Sequence, residues 1–265
     1  LDTFTAVQSL AAITIGKQAD NAVCAPAATW DRASIAAAAQ EIPVPAVDDR
    51  PFLYLKTQTI PDIYLIVIGL ILAVSLIGIR IFGGPFRAMR GYGDLFFMGA
   101  AFLLLETRSI TTFALLFGTT WLVNALVFTG VLVAVLLAIE LTQRAKGPIP
   151  RPFIITALFS SLLVAFLIPN EMLLGLPVPL RLLFAVAIAF APVFFANLLF
   201  TSRFKNAANP TAAFAANLFG AMIGGCLEYL SLILGYQWLL AVAAGLYLIA
   251  VLVGQRQASK SIVNA

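Results

Sequence analysis

Residues 96–124 read FFMGAAFLLLETRSITTFALLFGTTWLVN. The stretch is long enough to enter a bilayer and start back, and its middle holds Glu106 and Arg108, two charges where hydrocarbon is expected. Charges at that depth are costly and are kept when they are paired or face a protein interior. The rest of the chain reads as apolar helices gathered around this segment.

Composition agrees. Of 265 residues, 62% are hydrophobic and 11% charged, whereas a soluble domain is roughly half apolar and about a quarter charged. The fold class expected is therefore all-α: a polytopic membrane bundle of about seven transmembrane helices, with a short extramembrane N-terminal segment. There is no histidine, which removes the commonest metal ligand and the usual acid–base group near neutral pH. Cys24 and Cys226 lie in very different segments, and neither a disulfide framework nor a CxxC site is readable. No glycine-rich nucleotide loop, P-loop or Cys/His/Asp cluster is present, so no catalytic residue, cofactor or metal is expected, and nothing points to nucleic acid.

Residues 1–61 form the extramembrane part. Ala-rich pieces alternate with Pro26, Pro43 and Pro45, and the longest charge-free run there, 33–40, is far too short to span. A segment of this length with so little apolar periodicity makes a marginal domain alone. It reads as the tail or remnant of a soluble domain. The opening LDTFTAVQ, with neither Met nor a charged-then-apolar leader, reads as the scar of a longer precursor.

Seven apolar segments follow at 62–82, 94–116, 119–141, 153–169, 180–200, 212–234 and 237–254, with 255–265 as a tail. The fourth is the shortest and is expected to stop early at Pro169. Turn signals separate the segments: Gly83-Gly84-Pro85, Gly147-Pro148, Pro177 with Pro179, Asn209-Pro210 and Gly235. Arg80, Arg87, Arg90, Arg144, Lys146, Arg151, Arg203, Lys205, Arg256 and Lys260 all follow odd-numbered segments, while connections 117–118, 170–179 and 235–236 carry no Lys or Arg. The positive-inside rule then predicts a cytoplasmic C-terminus and residues 1–61 outside.

Glu106 lies about 18 Å from the cytoplasmic end of the second segment, at ~1.5 Å per residue. Arg108 points about 200° away around the helix, so each charge needs a partner from another element. The partner expected for Arg108 is Glu228 in the sixth segment, directly or through water. Three readings stand: a structural ion pair, a proton, ion or substrate relay, and local unwinding that hydrates both charges. The last has its own support in Thr107, Ser109, Ile110, Thr111 and Thr112, because hydroxyls at this density can bond to backbone carbonyls and bend a helix or re-satisfy a broken one. In the sixth segment Asn217, Ala221, Gly224 and Glu228 fall on one small, polar stripe, and Gly220 with Gly224 forms a GxxxG. Tight helix packing is the ordinary reading of such a stripe and a substrate path the functional one. Asn124 and Asn197 are expected to donate hydrogen bonds between helices, Pro192 to kink the fifth segment, and Trp121, Tyr236 and Trp238 to sit in an aromatic belt.

Three stretches carry a family resemblance: DDRPFLYLKTQTIP (48–61), MGAAFLLLETRSITTFALLFGTTWLVNALVF (98–128) and NLFGAMIGGCLEYLSLILGYQWL (217–239). Together they resemble the C-terminal membrane region of bacterial spermidine-synthase-like membrane proteins, in which a polyamine-aminopropyltransferase-like domain joins a multi-helix membrane domain. The resemblance covers roughly residues 45–250 and implies that DDRPFLYL is the exit from the soluble half. The acidic and glycine-rich motifs of that catalytic half are absent from this sequence. The function expected is a non-catalytic polytopic subunit or scaffold in a bacterial inner membrane, contacting lipid and other membrane subunits. The alternatives are a transporter or channel for a small cation such as a polyamine, acting through Glu106 and Glu228, and the membrane half of a split aminopropyltransferase-like enzyme.

Overall fold

A computed structural model describes residues 59–82, 84–145, 147 and 149–263. The expectations for residues 1–58, with Cys24 and most of the exit segment, lie outside the described residues. Helix α1 spans Asp62–Phe82. A short α2 (Phe86–Met89) and a 3-10 turn (Arg90–Tyr92) lead into α3, Gly93–Phe117. Then come α4 (Trp121–Arg144), α5 (Arg151–Leu167), the short α6 (Asn170–Leu174) and α7 (Val178–Phe204). Helix α8 (Pro210–Leu227) passes through a 3-10 turn (Glu228–Leu230) into α9 (Ser231–Leu234), and α10 (Trp238–Val263) closes the chain. No strand occurs among the described residues.

Six of these units are long and apolar enough to cross a membrane: α1, α2–α3, α4, α7, α8–α9 and α10. The seventh expected span, α5, has 17 residues and falls short of that length; at ~1.5 Å per residue it covers about 25 Å. Its stop follows from Pro169, which has no N–H to continue the ladder. The chain is thus an all-helical, multi-pass membrane bundle. Helix α10 runs on beyond position 254, so part of the expected tail is helical.

The helix ends have local causes. Thr120 caps α4 by accepting from the backbone N–H of Val123 (3.4 Å), and Asn209 caps α8 by accepting from Ala212 (3.0 Å). Gly118 and Gly235, with φ of 91° and 94°, turn the chain after α3 and α9 in a region that costs an L side chain strain.

Helix α3 is the hub, packing against α8, α10, α7, α4 and α6. Its tightest partner is α8, and glycine is the reason. A methyl group added at Gly220 would overlap the carbonyl oxygen of Phe96, one at Gly224 that of Ala100, and one at Gly99 that of Asn217. Small residues let the two backbones touch, which is the main route to helix association where lipid is as apolar as any side chain. By contrast α1, packed mainly on α8, has no buried residue.

Of the three readings, local unwinding near Glu106 does not occur: α3 is unbroken from Gly93 to Phe117. Ser109 and Thr111 donate to the carbonyls of Leu105 (2.8 Å) and Thr107 (3.2 Å), one turn back, within an intact helix. The irregularity lies on the facing element instead, where α8 tightens into the 3-10 turn at Glu228. Pro192 is buried inside a continuous α7.

Candidate functional site

The polar residues of the bundle gather towards its two ends. At the end where α3 and α5 finish, α5 leaves carbonyls without partners because Pro169 cannot donate to Ala165. Arg108 fills that gap: buried at 9% exposure, it donates from Nη2 to the carbonyl of Ala165 (3.2 Å). Gln237 donates to the next carbonyl, Phe166 (3.0 Å). Arg181 does the same for neighbouring ends, donating to Leu174 (2.7 Å), Leu176 (3.1 Å) and Leu116 (3.4 Å). Cationic donors at helix C-termini also meet the negative end of the macrodipole.

The Glu228 carboxylate accepts from Thr107 Oγ1 (3.2 Å), one position before Arg108. A charged hydrogen bond to a bare carbonyl contributes about 1.5–3 kcal/mol, comparable to the ~2.5–3.5 kcal/mol that an arginine costs at the centre of a membrane helix. The bond to Ala165 therefore offsets much of the cost of burying Arg108. Glu106 is half-buried on α3.

Asn217 is half-buried on α8 with its backbone carbonyl and side-chain oxygen against Gly99, so the stripe Asn217, Gly224, Glu228 faces α3 rather than an open path. Asn124 departs from its expected place between helices. It is exposed, because the inward stripe of α4 runs through Val123, Val127, Val131, Ala134 and Ala138, which turns position 124 outward. Asn197 is buried but bonds along its own helix, to the carbonyl of Val193 (2.8 Å), instead of across helices.

Around Arg108 lies a cavity of about 60 Å³ bordered by Thr111, Thr112, Glu171, Tyr236 and Gln237, room for a few water molecules. Tyr236 stands outside the spans, and burial pushes its hydroxyl pKa up, with the Glu228 carboxylate adding to the shift and hydrogen bonds to Thr111 and Ser231 opposing it.

At the opposite end a buried ion pair was not anticipated. Asp94, at 1% exposure in the first turn of α3, accepts from Arg203 Nε at 2.6 Å. The Arg203 guanidinium also lies 5.7 Å from the ring centroid of Tyr92, near enough for a cation–π contact. The hydroxyl of Tyr92 accepts from the backbone N–H of Asn209 (2.7 Å), fixing the start of α8. With its amide turned to face acceptors, Gln257 donates to Asp94 Oδ1 and to the carbonyl of Gly91, each at 3.1 Å. In the sequence, Asp94 stands at the boundary of an apolar run and Arg203 in a basic loop, and each looks like an ordinary interfacial residue. A carboxylate in the first turn of a long apolar helix, level with a basic loop, was the available signal.

Among the described residues no group of three or more Cys, Asp or Glu side chains converges to hold a metal. Comparison with protein-family models, curated proteins and solved structures returns no match to this chain.

Proposed function

We propose that this chain is a non-catalytic polytopic subunit of a larger membrane assembly, seated in a bacterial inner membrane with its C-terminus in the cytoplasm. The observation that carries the reading is the contrast between α1 and the bundle. Helix α1 is among the most apolar of the membrane-length helices, yet none of its 21 residues is buried within the chain. The charges Arg108, Asp94 and Arg203, meanwhile, are engaged in holding helix ends together. A bundle whose inner polar groups tie its own helices, with one helix contributing no buried residue, suits a role in assembly. Resemblance to the membrane region of spermidine-synthase-like proteins supports a domain that accompanies another unit.

Gly69 and Gly78 on α1 have no described atom near the position of an added Cβ, so both tolerate a reactive side chain. With a photo-crosslinking residue at position 69, protein solubilised mildly from native membranes is expected to yield a discrete higher-mass adduct. A lone monomer with no adduct would remove the subunit reading. Passage of a small cation such as a polyamine draws less support, because the small cavity bordered by Glu171 is lined also by the fixed positive charge of Arg108.

A further inference from the structure

Where α3 and α5 begin and α7 and α10 approach their ends, the bundle opens into a cavity of about 910 Å³. Arg90, Arg151, Arg203 and Arg256 line it, one from each of four separate elements, joined by the amides of Asn206 and Gln257. A second cavity of about 420 Å³ shares Arg151 and Asn206 and adds Lys205. The charges do not balance. Asp94 neutralises Arg203 from beneath, but among the described residues no carboxylate pairs with Arg90, Arg151 or Arg256.

Cations drawn together by a fold repel one another unless an anion joins them. Guanidinium groups present planar forks suited to phosphate, and amides add further donors. We propose that this cavity binds the phosphate of an anionic phospholipid headgroup. Position favours a lipid over a soluble phosphate. The cavity sits at the ends of membrane-length helices, where headgroups lie. One turn before Arg256 on α10, the exposed Leu252 offers apolar surface for an acyl chain.

The competing explanation is the general attraction of a basic membrane face for anionic lipid. Arg80 and Arg87 discriminate: they are exposed, on the same run of basic residues, and do not line the cavity. The test uses the full chain in neutral detergent, titrated with phosphatidylglycerol, phosphatidylcholine or inorganic phosphate, and reads lipid adducts by native mass spectrometry and the thermal shift each ligand causes. Phosphatidylglycerol is expected to bind at least ~10-fold more tightly than phosphatidylcholine. At about five-fold per arginine near the surface, R90Q/R151Q/R256Q is expected to lose on the order of 100-fold in affinity, and R80Q/R87Q less than about two-fold. Should the triple variant fail to fold, R151Q alone, at an exposed helix start, is expected to lose about five-fold. Equal losses in the control variant, no preference for phosphatidylglycerol, or saturation by inorganic phosphate with no further effect of lipid would each overturn the proposal.

Discussion

Asp94 is 1% exposed, and its surroundings answer each of its needs. Arg203 supplies charge, Gln257 a second donor, and the first turn of α3 a favourable dipole. Removing one member of such a pair leaves the other charge uncompensated, which costs more than the pair itself contributes. Asp94→Asn is therefore expected to destabilise the bundle by about 3 kcal/mol, the lower part of the range for buried pairs because Arg203 keeps some exposure. Asp94→Asn/Arg203→Gln is expected to recover at least ~1 kcal/mol of that loss, a coupling that a double-mutant cycle in detergent unfolding measures. Additive losses would show that the two side chains act separately. The sequence marked Glu106, Arg108 and Glu228 as the charges to explain because they interrupt apolar runs. It named Glu228 for Arg108 and did not point to the carbonyl of Ala165, which is backbone and becomes available only because Pro169 ends α5 nearby.

At the scale of elements, the decisive contact is the face that α8 turns to α3. The GxxxG of Gly220 and Gly224 was visible in the sequence, and its neighbour across the interface, Gly99, completes a seam where each missing side chain is occupied by the other backbone. Contacts of this kind relax poorly, because the obstructing atoms are main-chain carbonyls and not flexible side-chain ends. Gly220→Leu is expected to force α8 off α3, costing about 3 kcal/mol or more, the upper end for overpacked positions. Gly69→Leu, at an exposed position of α1, is expected to change stability by less than ~0.5 kcal/mol. Comparing the two by thermal unfolding in one detergent separates packing from added hydrophobicity. Helix positions were legible because apolar length and Gly/Pro punctuation are local signals. The 3-10 tightening at Glu228 was not, because it depends on how α8–α9 meets α3.

At the scale of the molecule, alternation of the helices puts Arg80, Arg90, Arg144, Arg151, Arg203 and Arg256 near one end. At the other end Arg181 is an exception to the basic-free pattern, and its hydrogen bonds to Leu116, Leu174 and Leu176 give it a structural task in closing helix ends. An arginine held by backbone carbonyls is a weaker topological signal than several in open loops, so we keep the cytoplasmic C-terminus as the proposed orientation. Thr119 and Gly147 are both exposed and lie in connections at opposite ends of α4. In a chain with Cys24→Ser and Cys226→Ser, Thr119→Cys is expected to react with a membrane-impermeant maleimide on intact cells. Gly147→Cys is expected to react only after the membrane is opened. The reverse pattern would invert the molecule and place the arginine-lined cavity on the outer face; labelling of both sites on intact cells would mean that α4 does not cross the bilayer.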